Sequence, residues 1–186
     1  GGDAFALTDM PQGAGGPTRA PDGKSILFAS SSNPEDRAKA AEKKKEKKPE
    51  YAAAEEEHES DVHVITRAVY RDNDEGFRDP KRPQHLWVIA APLSAGEKPE
   101  PKQLTSGRFD EGNAFWSKDG AQIYFTSEHV DEPYYELPKT ELYVLPAQGG
   151  EEKLLRTIPM GPGPFVLTPA RKSVPFLASS SRPVKS

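Results

Sequence analysis

The stretch from Phe115 to Ser127 reads FWSKDGAQIYFTS, and it decides the fold. Asp119-Gly120 within it is a dipeptide typical of hairpins, because a tight primed turn needs positive φ at both central positions. Ile123 and Phe125 follow the turn on alternate positions, as expected for a half-buried strand. The stretch therefore predicts a β-hairpin with a tight primed turn.

The same pattern occurs earlier in the chain, and repetition of this kind indicates a repeated supersecondary unit. Leu7-Thr8 stands fifteen positions before Asp22-Gly23, and Leu104-Thr105 stands fifteen positions before Asp119-Gly120. We therefore expect equivalent hairpin bends at Asp22 and Asp119.

A third copy follows near the end of the chain, where Leu155 stands fifteen positions before Ala170. The Asp-Gly pair is absent from this copy, but the spacing is kept, so we expect a third bend at Ala170. The alternating apolar pairs that follow the three bends are Ile26 and Phe28, Ile123 and Phe125, and Val174 and Phe176.

Two further strands are predicted in each of the first two units. An almost continuously apolar run, 85–89 in the first unit and 141–145 in the second, is typical of a strand buried between layers. A shorter strand then closes each unit at 101–105 and 152–155. Four antiparallel strands in each unit predict an all-β fold, a partial β-propeller built of four-stranded blades.

The repeat length sets the expected domain boundaries. From Asp119 to Ala170 is 51 positions, close to the roughly 40 to 50 residues typical of propeller blades, whereas from Asp22 to Asp119 is 97. The difference predicts an insertion at about 33–84. We expect a first blade with that insertion at 1–105, a second blade at 106–156 and the start of a third at 157–186.

The insertion contains a Lys- and Glu-rich stretch with no apolar periodicity, which predicts a solvated helix or a disordered loop. A strand is predicted next at 61–71, followed by a turn that contains Asp74, Glu75 and Phe77. The two carboxylates could hold a substrate amino group through charge-assisted hydrogen bonds. We therefore predict Asp74, Glu75 and Phe77 as substrate-contacting residues.

Several classes of chemistry have no support in the sequence. No serine lies in a Gly-x-Ser-x-Gly elbow, so no catalytic residue is assigned. Cysteine is absent, and none of the four histidines (His58, His63, His85 and His129) is paired at i, i+4, so we expect no metal. No glycine-rich phosphate loop occurs, and no cofactor is predicted.

Charge and hydropathy restrict the partners. The net charge of -4 argues against nucleic acid, and no apolar stretch approaches the length of a membrane span. The chain shows no targeting segment, which leaves a cytoplasmic or a periplasmic location open. We expect the chain to be a piece of a larger protein.

Two segments resemble a known family. The stretch 115–127 looks like the Trp-Ser-Pro-Asp-Gly blade motif shared by prolyl-oligopeptidase-family peptidases and TolB-type propellers. The segment VITRAVYR at 64–71, with DEGF at 74–77 and HLWV at 85–88, resembles the first long-insert blade of dipeptidyl-peptidase and acylaminoacyl-peptidase-like members. The similarity departs where Arg19-Ala20 replaces Trp-Ser and where Ala170-Arg171 replaces Asp-Gly.

The resemblance implies a non-catalytic propeller part of a serine peptidase. In that family an N-terminal propeller precedes a C-terminal α/β-hydrolase domain, absent from this chain, which holds the Ser, Asp and His of the triad. The propeller would gate and orient peptide substrates, and its partners would be those peptides, the remaining blades and the hydrolase domain. The alternative is a TolB-like or WD-repeat-like propeller that serves as a protein-interaction scaffold.

Overall fold

The structure is a computed structural model of the 186-residue chain. It describes residues 5–45, 71–72, 76–77, 79, 82–92, 97–130 and 139–159. These residues form two four-stranded antiparallel sheets, one two-stranded pair and one α-helix, which confirms the predicted predominance of β-structure. The helix also confirms a helical part of the charged insertion.

The elements follow the predicted order of strands. In chain order they are β1 (Gly15–Arg19), β2 (Ser25–Ser30), α1 (Pro34–Lys45), β3 (Arg71–Asp72), β4 (Gly76–Phe77), β5 (His85–Ala90), β6 (Lys102–Gln103), β7 (Glu111–Trp116), β8 (Gln122–Ser127), β9 (Thr140–Pro146) and β10 (Lys153–Ile158). Sheet 1 has the order β1-β2-β5-β6, and sheet 2 has the order β7-β8-β9-β10. The division at 105 and 156 stays a prediction, and β10 continues to Ile158.

The two Asp-Gly hairpins are confirmed, but their turn is not the predicted primed turn. Gly23 and Gly120 have φ of 73° and 71°, whereas neither aspartate lies at positive φ. In each loop the glycine N–H donates to a carbonyl three residues earlier, on Ala20 (2.8 Å) or Ser117 (3.0 Å). Each aspartate Oδ1 accepts the N–H two residues further on. This wider turn needs a left-handed residue only at glycine, and the bend predicted at Ala170 lies outside the described residues.

The central strands of the two sheets pair in the same register. β2 pairs with β5, and β8 with β9, antiparallel and without a register shift over six residues in each case. The equivalent cross-strand pairs are Phe28–Trp87 and Phe125–Tyr143, Ile26–Ile89 and Ile123–Leu145, and Ser30–His85 and Ser127–Glu141.

Each sheet therefore has two faces that can be compared position by position. In sheet 1, face A carries Leu27, Ala29, Leu86 and Val88, and face B carries Ile26, Phe28, Trp87 and Ile89. In sheet 2, the equivalent face A carries Tyr124, Thr126, Leu142 and Val144, and face B carries Ile123, Phe125, Tyr143 and Leu145.

The main core lies between face A of sheet 1 and face B of sheet 2. Leu27 and Leu86 are each 1% exposed there, and they share the core with Ile123 and Phe125. Trp116 packs at its margin, and its Nε1–H donates to the Thr18 carbonyl 3.1 Å away in β1. Burial of each large apolar side chain contributes about 1.5–3 kcal/mol. The sheets thus pack head to tail, through two different faces.

A second core covers face B of sheet 1, where Met10 packs with Phe28, Trp87 and Ile89. Helix α1 borders this core, and the Arg37 guanidinium lies 5.3 Å from the Trp87 ring centroid. The helix begins after Asn33, whose Oδ1 accepts the Asp36 N–H at 2.7 Å, a typical N-cap. Within the described ranges, no helix has the length and apolar character needed to span a bilayer.

Candidate functional site

Eight strand ends lie at one edge of the two sheets, which we call the insertion end. β2, β6, β8 and β10 finish there, and β1, β5, β7 and β9 begin there. The connections 31–84, 104–110 and 128–139 therefore all leave the sheets at this edge. Long connections held at the edge of a rigid sheet are where binding residues are concentrated in proteins.

A buried hydrogen-bonded group joins the two sheets at the insertion end, and we call it the clasp. It consists of His85 at the start of β5, Glu111 at the start of β7, and Thr105 between them in the connecting segment; all are at least 93% buried. Glu111 Oε2 lies 2.7 Å from His85 Nδ1 and accepts the Thr105 hydroxyl at 3.0 Å. Thr105 Oγ1 in turn accepts the Leu86 N–H at 2.9 Å.

Three further hydrogen bonds, each involving a backbone group, connect the same two strand starts. The Glu111 N–H donates to the Gln84 carbonyl at 2.9 Å, and the Gln84 side-chain amide donates to the Glu111 carbonyl at 2.9 Å. The Gln84 N–H donates to Asp110 Oδ1 at 2.6 Å. Because these bonds cross from one sheet to the other, they fix where the connection 31–84 returns relative to sheet 2.

The electrostatics of the clasp are dominated by burial. Burial raises the pKa of Glu111 above its ordinary value of 4.5, because the charged carboxylate loses its hydration. The hydrogen bond and the charge of His85 act in the opposite direction, as does the Thr105 hydroxyl, and Glu152 adds a further rise. The carboxyl therefore gains and loses its proton at a higher pH than an exposed glutamate would.

A second polar group, the His129 cluster, lies at the same end of sheet 2. It contains His129, Glu141, Tyr143 and Phe109. His129 Nδ1 is 3.1 Å from Glu141 Oε2 and 2.9 Å from the Tyr143 hydroxyl, which donates to the same carboxylate oxygen at 2.8 Å. The Phe109 ring centroid lies 4.5 Å from that of His129. Burial, and then the hydrogen bond to Glu141, raises the pKa of Tyr143 well above its usual value.

His129 is the reachable member of this cluster. Its side chain is 33% exposed, whereas that of Glu141 is 9% exposed. Two cationic groups lie beside it, with Lys139 Nζ 3.5 Å from Glu141 Oε1 and the Arg108 guanidinium 4.9 Å from the Phe109 ring centroid. A histidine whose Nδ1 is held by a carboxylate has a fixed ring orientation, so its Nε2 is suited to contact a polar ligand group.

The described serine hydroxyls that make hydrogen bonds have partners other than histidine. Ser30 donates to the Gly13 carbonyl at 2.6 Å and lies 3.0 Å from the Ser32 hydroxyl, while Ser127 donates to the Asp110 carbonyl. Among the residues that the structure describes, no serine hydroxyl is hydrogen-bonded to a histidine, and no three His, Cys, Asp or Glu side chains gather as a metal site.

Of the three predicted substrate residues, only the backbone of Phe77 lies among the described residues. Asp74 and Glu75 lie outside the described residues. Phe77 is in β4, opposite Arg71 in β3, and its side chain also lies outside the description. Both short strands belong to the connection 31–84, so they lie on the segment that leaves and rejoins sheet 1 at the insertion end. The assignment of these three residues stays a prediction.

The clasp and the His129 cluster were not predicted from the sequence. His85 and His129 were considered only as metal ligands, and their carboxylate partners lie 26 and 12 residues away. One signal was available: His85 and Glu141 are equivalent polar residues at the start of otherwise apolar strands. A polar residue in that place needs a buried partner at the strand end.

The fold and these groups together define a class of protein: a repeat of four-stranded antiparallel sheets with polar, long connections at one end. No family model matches the chain. It is similar to the uncharacterized peptidase YuxL of Bacillus subtilis (strain 168), with 28% identity over 132 residues. The match covers 68% of this chain and 17% of the relative, so the chain spans only a small part of that protein's length.

Proposed function

We propose that this chain is part of a β-propeller in a serine peptidase, and that it gates and orients peptide substrates without catalytic residues of its own. The observation that carries the proposal is the head-to-tail packing of sheets 1 and 2. Equivalent sheets that meet through two different faces can add further copies in the same way. Four-stranded units that repeat radially form a propeller.

The peptidase part of the proposal is supported by similarity. The curated relative is named a peptidase, and most of this chain matches part of it. The blade motif at 115–127 and the long-insert segment at 64–88 resemble prolyl-oligopeptidase-family members. In such a protein the triad would belong to a C-terminal α/β-hydrolase domain outside this chain.

The gate would lie at the insertion end. The connections 31–84 and 128–139 leave the rigid sheets there, and the clasp fixes the return of the first connection against sheet 2. A long segment anchored in this way keeps its base in place while its tip meets a ligand. Peptides, the remaining blades and the hydrolase domain are the partners that this arrangement would serve.

Substrate contact would come from Asp74, Glu75 and Phe77 in the first connection. Asp74 and Glu75 place two carboxylates beside Phe77 in sequence, and such a group suits a peptide amino group next to an apolar side chain. His129, at the base of the second connection, adds a polar contact on the same end.

The test uses the longer protein that contains this chain and a Gly-x-Ser-x-Gly domain. Asp74→Asn combined with Glu75→Gln removes two charge-assisted hydrogen bonds, so we expect KM for a peptide with a free amino terminus to rise about 10-fold or more, with kcat nearly unchanged. The matched control is Glu56→Gln with Glu57→Gln in the Lys- and Glu-rich stretch, which we expect to change neither constant.

The chain alone provides the complementary experiment. We expect residues 1–186 to show no turnover of aminoacyl or peptidyl chromogenic substrates. Turnover that is blocked by a serine-directed inhibitor would contradict the non-catalytic assignment. A parent reading frame with further blades but no nucleophile elbow would instead support the scaffold alternative of TolB-like or WD-repeat-like propellers.

A further inference from the structure

A cleft with a volume of about 270 Å³ lies between three segments on the side of face B of sheet 1. Its walls are the N-terminal segment 7–11, one side of α1 at 37–41, and the connection 98–101 that leads into β6. This volume is just below the roughly 300–1,000 Å³ of sites for drug-sized ligands, so the cleft suits a smaller molecule. None of its described lining residues belongs to the clasp or to the His129 cluster.

The three walls are held in place by contacts outside the cleft. Next to the N-terminal wall, the Gln12 N–H donates to Ser32 Oγ at 3.0 Å. Helix α1 is fixed by Arg82, whose guanidinium makes two hydrogen bonds of 3.0 Å to the Asp36 carboxylate. The third wall contains two prolines, whose rings restrict the backbone. A site with fixed walls loses less conformational freedom when a ligand binds.

Two ion pairs cross the cleft from wall to wall. Arg37 Nη2 on α1 lies 2.7 Å from Glu100 Oε1, and Lys98 Nζ lies 3.6 Å from Asp9 Oδ2. The described lining therefore carries two cations and two carboxylates, which cancel. A ligand with a single charge would leave one of these side chains without a counter-ion. A ligand with one ammonium group and one carboxylate matches both signs.

The pair between Arg37 and Glu100 can exchange its partners for those of a ligand. The Glu100 side chain is 87% exposed, and ion pairs of exposed side chains contribute little to stability. Among the described residues, the Arg37 guanidinium donates one hydrogen bond, through Nη2 to Glu100. Its other N–H groups are available, and a planar guanidinium binds a carboxylate through two parallel hydrogen bonds.

The uncharged part of the lining is mainly apolar. It includes Leu7, Met10 and the two alanines of α1 at 40–41. Trp87, which is 1% exposed, lies behind them: Met10 packs against it, and the Arg37 guanidinium is 5.3 Å from its ring centroid. An apolar ligand side chain is stabilised by leaving water in such surroundings.

We propose that this cleft binds a small zwitterion with an apolar side chain, either a free amino acid or a dipeptide. The ligand carboxylate accepts hydrogen bonds from Arg37, the ligand ammonium group donates to Glu100, and the ligand side chain contacts Leu7 and the alanines of α1. The site uses none of the substrate residues proposed at 74–77, so the inference goes beyond the proposed function and does not depend on it.

The indole N–H groups of the two tryptophans report binding in the unmodified chain. Trp116 Nε1–H donates to the Thr18 carbonyl at 3.1 Å, whereas Trp87 Nε1 has no hydrogen-bond partner among the described residues. We expect leucine or Ala-Leu to shift the Trp87 signal in proton–nitrogen correlation spectra, with a Kd of about 1 mM, and to leave the Trp116 signal in place. No saturable shift of the Trp87 signal with either ligand up to about 20 mM would overturn the proposal.

Blocked ligands test the recognition of the two charges. Acetylation of Ala-Leu removes the ammonium group and amidation removes the carboxylate, and we expect each change to weaken binding about 10-fold or more. Equal Kd values for Ala-Leu and both blocked forms would contradict the proposal, because apolar contact alone would then account for binding. Tighter binding of leucine would support an amino-acid site, and tighter binding of Ala-Leu would support a peptide site.

Substitution assigns the ligand to the cleft. We expect Arg37→Gln to raise the Kd for Ala-Leu about 10-fold or more, because it removes the guanidinium. Glu100→Gln, at an exposed side chain, should weaken binding of Ala-Leu and leave that of acetyl-Ala-Leu unchanged. Arg156→Gln on exposed β10 is the matched control and should change neither Kd.

Thermal unfolding of the three variants shows whether each keeps its fold. If Arg37→Gln does not fold, Glu100→Gln decides the assignment. An unchanged Kd for Ala-Leu in the folded variants of the cleft would place the ligand elsewhere and overturn the proposal.

These outcomes are independent of the peptidase test. Ligand binding in the cleft without peptidase activity in the longer protein would leave this inference intact and remove the proposed function. Peptidase activity with no ligand binding in the cleft would do the reverse.

Discussion

Glu111 shows how a single side chain can connect two sheets. It is 5% exposed, and its carboxylate reaches His85 on sheet 1 and Thr105 on the segment between the sheets. A buried polar group of this kind is costly unless every partner is present. Removal of one partner therefore lowers the free energy of unfolding by more than the lost hydrogen bonds alone would, because the remaining partner stays buried without a bond.

Glu111→Ala would leave His85 buried without its partner, and we expect it to lower the free energy of unfolding by about 3 kcal/mol. Glu111→Gln keeps the size and an acceptor oxygen, so its loss should be smaller. Urea denaturation of both variants checks the order. Equal losses for the two variants would show that the hydrogen bonds of the clasp contribute little.

The clasp also predicts the sign of a pH dependence. Because burial raises the folded-state pKa of Glu111 above 4.5, the unfolded chain loses this proton first as pH rises. The contribution of Glu111 to stability is thus complete below about pH 4.5 and decreases as pH rises through the folded pKa. The difference in unfolding free energy between the unmodified chain and Glu111→Gln should decrease over that range. A difference that grows with pH would contradict the assignment.

At the scale of elements, the two hairpin turns show which part of a repeat is physically required. Gly23 and Gly120 share a left-handed conformation, although Arg19-Ala20 and Trp116-Ser117 precede them. The residues before the turn can differ because the glycine and the aspartate carry its geometry. The turn therefore tolerates different residues before the aspartate, and it requires positive φ at the glycine.

Gly120→Ala would force a left-handed conformation on a residue with a Cβ, and we expect a loss of about 1 kcal/mol. The cost arises from the backbone, since the nearest atom to an added Cβ is Pro21 Cδ at 3.5 Å, an ordinary contact. Gly112→Ala is the matched control: Gly112 is not at positive φ and has nothing within 4 Å of an added Cβ. Thermal unfolding of both variants checks this, and equal stabilities would refute the strain argument.

Local patterns in the sequence were enough to predict the strands, and not enough to predict the polar groups. Alternation at Ile26 and Phe28 and the apolar run at 85–89 depend on residues close in the chain, so their strands could be predicted. The pairing of His85 with Glu111 depends on how two sheets meet, which no local pattern contains. The primed turn was wrong because Asp-Gly also fits a wider turn in which only glycine is left-handed.

At the scale of the whole molecule, the asymmetry of the interface is the main feature. Sheet 1 contacts sheet 2 through face A, and sheet 2 contacts sheet 1 through face B. Face B of sheet 1 and face A of sheet 2 are therefore not covered by the other sheet. In a closed two-layer sandwich, each sheet would contact only the other sheet. In a ring, each sheet contacts one neighbour through face A and the next neighbour through face B. The second core, with Met10, covers face B of sheet 1, and the Arg37 guanidinium lies over its Trp87 ring.

An experimental structure of the longer protein, by crystallography or electron microscopy, tests the central claim most directly. We expect β1 and β7 to lie next to a common axis, further four-stranded sheets to continue from face A of sheet 2, and the insertion end to face the proposed hydrolase domain. A closed two-sheet sandwich, or β1 to β10 joined in one continuous sheet, would contradict the account.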